Sequence, residues 1–228
     1  MPQEASPSPG GCDRVVGAVL AGGRSQRMGA DKASLRLGGR PLAAWPVWAL
    51  RQVVEEVWLV GGDRALADEL GVGYTPDLWK DAGPLGGVYS ALRASAANVL
   101  VVGCDMPLIQ PALLAALLET GAGYDAAVPV KGGECEPLLA LYRSTCLPGA
   151  EAALARGQRR VIAMYDCLRV RRLTEPDWRA MDPRALSFFN VNTPDDLKLA
   201  ETLVAEASAN MRLSPISPAP GTHTPGRT

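Results

Sequence analysis

Histidine is nearly absent from this sequence: the one example, His223, lies in a terminal stretch of Pro, Ser, Thr and Gly. Histidine acid–base chemistry is thereby excluded from the folded core. Long apolar runs are missing as well. None reaches the ~18 residues that a bilayer demands, and residues 1–13 carry no apolar signal region. The five cysteines (Cys12, Cys104, Cys135, Cys146, Cys167) are scattered and never spaced C-x-x-C, which disfavours a disulfide framework and a structural zinc site. Neither sign of charge prevails, with 23 basic and 24 acidic residues mixed along the chain. No basic stripe offers a nucleic-acid surface, and no basic amphipathic helix offers a membrane surface. A polyanion bound here has to be held by a local cluster. These absences predict a cytoplasmic protein whose partners include no nucleic acid and no membrane.

What remains is an ordinary globular composition, 47% hydrophobic over 228 residues, enough for one domain with one sizeable core. Residues 1–13 and 209–228 are rich in Pro, Ser, Thr, Gly and Ala and read as disordered tails, since they cannot bury enough apolar surface to offset ordering entropy. The folded unit is then 14–208. Within it, apolar runs at 15–20, 57–60, 98–102, 126–130 and 138–142 read as strands, and 42–54, 111–120 and 195–207 read as helices. Continuous apolar strands separated by helices are what a parallel sheet covered on both faces requires. The expected fold is a three-layer α/β domain with a mainly parallel central sheet and its ligand beyond the carboxyl ends of the strands.

The first strand runs into Leu20-Ala21-Gly22-Gly23-Arg24-Ser25-Gln26-Arg27-Met28-Gly29-Ala30-Asp31-Lys32. Gly22 and Gly23 can take positive φ and let backbone approach a ligand closely, and loop N–H groups can form an anion nest. Arg24, Arg27 and Lys32 crowd three cations into this loop against Asp31 alone, an arrangement that a triphosphate would neutralise. A solvated turn with incidental charges is the plainer reading. Neither the Walker A spacing nor the dinucleotide fingerprint fits, which also disfavours a dehydrogenase. The stretch resembles the L-A-G-G-x-S-x-R-M-G-x-D-K signature of the molybdenum cofactor guanylyltransferases, the MobA-type enzymes.

That resemblance implies a Rossmann-like nucleotidyltransferase domain and assigns further residues. Asp105, in Gly103-Cys104-Asp105-Met106-Pro107 after an apolar strand, matches a C-D-x-P segment whose aspartate binds the metal; capping a turn is its plain alternative. An aspartate ahead of the family's G-P-L-x-G segment contacts the nucleotide, and Asp77 aligns best by distance, with Asp81 the alternative. Asn190-Val191-Asn192-Thr193-Pro194-Asp195-Asp196-Leu197 resembles N-x-N-T-P-x-D-L, a helix cap at Thr193 whose Asn190 and Asn192 are expected to face the acceptor. Glu134 and Glu136, just before Pro137-Leu138-Leu139-Ala140-Leu141-Tyr142, are ill suited to an anionic pterin; Arg159 and Arg160, after Gln158, offer it cations, with a solvated helix face their plainer reading.

The implied reaction carries GMP from GTP to the terminal phosphate of molybdopterin or molybdenum-molybdopterin, with Mg²⁺ as cofactor and pyrophosphate leaving. Such a step needs alignment and charge neutralisation but no general base, in keeping with a core that lacks histidine. By the same resemblance, Leu20, Ala21, Gly22, Gly23, Lys32, Asp77 and Asp105 bind the nucleotide. Lys32 and Arg27 balance phosphate charge, and Asp105 holds the metal. Other cofactor-biosynthesis proteins are further expected partners. The rival readings are a CTP-dependent molybdopterin cytidylyltransferase, whose loop more often reads L-A-A-G, a sugar-1-phosphate nucleotidyltransferase, and a GTP-binding regulatory module without turnover.

Overall fold

Five of the six residues of the first strand are buried, and the same continuous burial marks the strand at 98–103. Both lie at the centre of the molecule. The computed structural model describes residues 14–22 and 32–210, the last four as backbone only. The tail expected at 1–13 lies outside these residues, as does 209–228 apart from the end of the last helix, which continues to Asn210.

The strands are β1 (Val15–Leu20), β2 (Arg36–Leu37), β3 (Arg40–Pro41), β4 (Glu56–Val60), β5 (Gly73–Thr75), β6 (Asn98–Gly103), β7 (Ala126–Lys131), β8 (Glu134–Cys135), β9 (Leu139–Tyr142) and β10 (Val170–Leu173). The helices are α1 (Ala44–Leu50), α2 (Arg64–Leu70), α3 (Gly83–Ser95), α4 (Pro111–Thr120), α5 (Leu147–Ala155), α6 (Glu175–Trp178) and α7 (Pro194–Asn210). The main sheet runs β10-β7-β9-β6-β1-β4-β5, with β8 attached to β7. Its pairs are parallel except around β9, which lies antiparallel between β6 and β7, and at the short β8, which runs antiparallel to β7. The mainly parallel three-layer fold is therefore present, with one reversed strand inside it.

Alternation along the strands builds the two cores. Leu100 and Val102 of β6 face a cluster with Val47 and Leu50 of α1 and Leu113 and Leu117 of α4. Val99 and Val101 face the other side, with Leu85 and Leu92 of α3 and Ala150 and Leu154 of α5. Burying a large apolar side chain is worth about 1.5–3 kcal/mol, so the sheet is held from both faces. Helix α1 is shorter than the expected 42–54. Gln52 and Val53 donate to Ala49 and Leu50, three residues back, so the chain tightens into a turn before β4. Helix α2 escaped the apolar pattern but carries its own punctuation: Asp63 accepts from the Ala65 N–H at 2.9 Å, and Gly71 ends it with φ +61.

A third, smaller cluster joins the β2–β3 hairpin to α7 through Leu37, Leu42, Val191, Ala200 and Val204. The single helical turn Lys32–Ser34 is anchored instead in the first cluster: Ala33 is fully buried there, and its carbonyl accepts the Ala43 N–H at 3.1 Å. Among the described residues, no helix is long and apolar enough to cross a membrane.

Candidate active site

Parallel strands that start together also end together, and here the ends of β1 and β6 open the site. Leu20 pairs with Gly103, and the Cys104 N–H donates to the Leu20 carbonyl at 3.1 Å. The Ala21 N–H continues the other ladder to Val60 at 2.9 Å, leaving Gly22 at the rim. Just beyond β6, the Asp105 carbonyl accepts the Val191 N–H at 2.9 Å, which draws 190–193 to the same edge. Asn192 and Thr193 then enter α7 through a reciprocal cap. Thr193 Oγ1 accepts the Asp196 N–H at 3.1 Å, while Asp196 accepts the N–H groups of Asn192 and Thr193 at 2.9 and 2.8 Å. These bonds hold the Asp196 carboxyl below its usual pKa.

Three predicted residues meet at this edge. Lys32 Nζ lies 2.6 Å from Asp105 Oδ2 and 2.8 Å from Asn192 Oδ1, bridging segments 73 and 160 residues apart in sequence. The Lys32 and Asp105 side chains are only 13% and 22% exposed, so bulk water screens them weakly. Asn190 is different: its side-chain amide donates back to the Phe188 carbonyl at 3.5 Å. Gly23 and Arg27 lie outside the described residues.

Gly22 works by closeness rather than by positive φ. A Cβ there would collide with the Asp77 carboxylate, and one at Gly61 would fall 2.8 Å from Asp77 Oδ2. Gly61 and Gly62 take φ +71 and +66, turning the chain sharply after β4. Asp77 is exposed on one side, but its carboxylate lies on this bare backbone, and burial pushes its pKa up. Asp81 supplies a left-handed turn, φ 55, into α3. Arg159 and Arg160 sit in the exposed loop after α5, not on a helix face, and the Arg159 carbonyl receives the Leu85 N–H at 3.1 Å.

The sequence reading did not place Glu136 near Asp105. Half-buried beyond β8, it feels the Asp105 charge; burial raises its pKa, a bond from Leu138 lowers it, Asp105 raises it and Lys131 lowers it. Its signal was the acidic segment itself, legible only once β9 is known to run against β6.

The donor set suits a magnesium ion carried with a nucleotide. Asp105 and Asn192 offer hard oxygens, and no three His, Cys, Asp or Glu cluster as a cage among the described residues. Magnesium is commonly bound by one or two carboxylates completed by phosphate and water.

Known proteins with this architecture carry related names. A probable molybdenum cofactor guanylyltransferase from Pelotomaculum thermopropionicum is 40% identical over 201 residues, covering 88% of this chain and 98% of that one. The crystal structure of molybdopterin-guanine dinucleotide biosynthesis protein A from Archaeoglobus fulgidus matches with TM-score 0.73 and 32% identity, over 84% of this chain and 99% of that one. The 2-C-methyl-D-erythritol 4-phosphate cytidylyltransferase of Thermus thermophilus shares the fold at TM-score 0.61 and 21% identity, over 82% and 98% of the two chains. Residues 17–171 match the MobA-like NTP transferase domain, and the chain belongs to that nucleotidyltransferase family.

Proposed function

We propose that this protein transfers GMP from GTP to the terminal phosphate of molybdopterin, or of its molybdenum-bearing form, releasing pyrophosphate. The observation that carries this reading is the Lys32 ammonium held between Asp105 and Asn192 at the carboxyl edge of β1 and β6. A cation gripped by a carboxylate and an amide from distant segments is preorganised for an anion that is bound there later.

The acceptor phosphate is already ionised near neutral pH, so the protein supplies alignment and charge rather than a base. Lys32 turns from Asp105 toward the triphosphate as the nucleotide enters, and Arg27 contributes a second cation. The backbone of Leu20, Ala21 and Gly22 lies along the nucleotide, and the family pattern assigns Gly23 to the same contact. Asp77 reads the base: guanine presents N1–H and its 2-amino group side by side, a pair that a carboxylate accepts and that cytosine lacks. Asn192 faces the acceptor, and Asn190 joins it once its amide leaves the Phe188 carbonyl. Asp105, with the Asn192 amide oxygen near it, is placed to hold Mg²⁺, which supplies charge neutralisation on the transferring phosphoryl group when bound.

Pyrophosphate release with GTP, molybdopterin and Mg²⁺ tests the proposal against its rivals. GTP should be used in preference to CTP, and sugar 1-phosphates should not serve as acceptors. Lys32→Ala should slow turnover by ~10²- to 10³-fold, the cost of losing one preorganised donor at a transition-state anion. GTP binding without pyrophosphate release would leave a regulatory module instead, and a Lys32→Ala variant at full rate would remove the lysine's role.

A further inference from the structure

Strands β6 and β9 pair antiparallel from Val99 opposite Tyr142 to Val102 opposite Leu139. The pairing continues one step further, because the Gly103 N–H donates to the Leu138 carbonyl at 2.9 Å. Beyond that bond both chains turn out of the ladder, the Met106 N–H donating to the Gly103 carbonyl at 3.3 Å, so that Asp105 and Glu136 each lie two residues past the last bonded pair. The Glu136 backbone is fastened at both ends, its N–H to the Pro129 carbonyl at 2.9 Å and its carbonyl to the Leu139 N–H at 3.1 Å. The Gly103–Leu138 bond thus brings two acids to the same end of β6, near enough for Glu136 to feel the Asp105 charge.

Like charges held near one another disfavour the state in which both are ionised. Glu136 is half-buried, so water screens the repulsion incompletely, and the Asp105 charge adds to the burial that raises its pKa. Two cations stand nearby. Lys131 reaches Glu136 electrostatically but places its ammonium over the Phe188 ring, 5.3 Å from the centroid. Lys32 is bonded to Asp105. When Lys32 turns to the triphosphate, as the proposed function requires, the Asp105–Glu136 pair loses its nearest counter-charge. A divalent cation restores it.

Resting on that reading, we infer that Glu136 is a second carboxylate for the nucleotide-borne magnesium ion, sharing it with Asp105 directly or through a metal-bound water. The acidic segment before Pro137 then belongs to the metal rather than to the acceptor. Two carboxylates with phosphate oxygens and waters are within the usual magnesium environment.

Mn²⁺ binding to the full-length protein, followed by electron paramagnetic resonance with a GTP analogue methylene-bridged between its α- and β-phosphates, reads this without turnover. Glu136→Gln should weaken Mn²⁺ by at least about tenfold, the scale of loss when a metal's supporting carboxylate is removed. The metal-free variant should bind the analogue as tightly as the parent or tighter, because a negative charge has gone. Glu134→Gln, an exposed acid of the same segment, should leave Mn²⁺ affinity unchanged. Should Glu136→Gln fail to fold, Glu136→Asp keeps the charge and withdraws it by one methylene, and is expected to give a smaller but measurable loss. Parent-like Mn²⁺ affinity in the folded Glu136 variant, alongside a loss in Asp105→Asn, overturns the inference and leaves the proposed function standing. Absence of Mn²⁺ binding in the parent protein with the analogue would strike both.

Discussion

Two aspartates lie in this domain in opposite circumstances. Asp182 is 1% exposed, and its carboxylate accepts the N–H groups of Leu186 and Ser187, four and five residues onward, at 2.9 and 2.7 Å. Asp105 sits at the end of β6, partly open, and its carboxylate meets the ammonium of Lys32, 73 residues away. The first is satisfied by backbone that cannot leave without unfolding the turn. The second is satisfied by a long side chain that can exchange its carboxylate for another anion without unfolding any backbone. A buried acid closed off by local N–H groups is a piece of architecture, whereas one balanced by a distant movable cation keeps its charge available for chemistry.

Substitution at the two positions should therefore separate activity from stability. Asp105→Ala is expected to lower Mg²⁺-dependent pyrophosphate release by more than about 10³-fold, since it removes the carboxylate proposed to hold the metal. Its far-ultraviolet circular dichroism and unfolding midpoint should stay near those of the parent. Undiminished turnover at saturating Mg²⁺ would cancel the distinction between the two acids. Asp182→Ala should behave the other way round. It strands two buried N–H groups, each costing about 1–3 kcal/mol, for a net destabilisation of about 2–4 kcal/mol in urea titration. The turn it caps also orients Ser187, whose hydroxyl accepts the Gln110 N–H at 2.9 Å at the start of α4. Residual activity below the unfolding transition should persist. An Asp182→Ala protein as stable as the parent but inactive would reverse the roles assigned here.

The contrast also marks what could be read from sequence. Strands β1 and β6 were legible because continuous apolar runs such as Val99 to Val102 signal burial on both faces. Helix α4 was legible at both ends, with Pro111 at its first position and Gly121 after Thr120. The direction of β9 was not, because an apolar strand has the same pattern whether it runs up or down the sheet. Without that direction, Glu136 could not be placed at the Asp105 end of β6. Helix α2 carried a readable Asp63 and Gly71 at its limits but is too short to show a strong apolar period. At the site, the family pattern named Lys32, Asp105 and Asn192 separately. Their meeting at one ammonium depends on the Val191 bond to Asp105 and on the burial of Ala33, contacts between distant segments that no local pattern encodes.

Asp77 falls between the two aspartates and offers the smallest, most selective test. Its carboxylate rests on Gly22 and Gly61, and burial holds its pKa above the ordinary 3.8. The sign follows directly. A carboxyl whose folded pKa is raised keeps its proton to higher pH in the folded protein than in the unfolded chain. Its burial costs stability above that raised pKa, and the cost fades as pH falls. Guanine recognition needs the opposite state, because only the ionised carboxylate accepts both N1–H and the 2-amino group. GDP affinity relative to Asp77→Asn should thus be greatest near neutral pH, about tenfold, the worth of one charge-assisted bond. The advantage should shrink as the pH is lowered from neutral into the acidic range, sooner than for an ordinary carboxylate. Taking the ratio to the variant removes the titration of the GDP phosphate, which both proteins share. Without ligand, Asp77→Asn should unfold at the same temperature as the parent or slightly higher at neutral pH, since it relieves a partly desolvated charge. A ratio flat across that range would detach Asp77 from the base and leave GTP preference to the glycine turn alone.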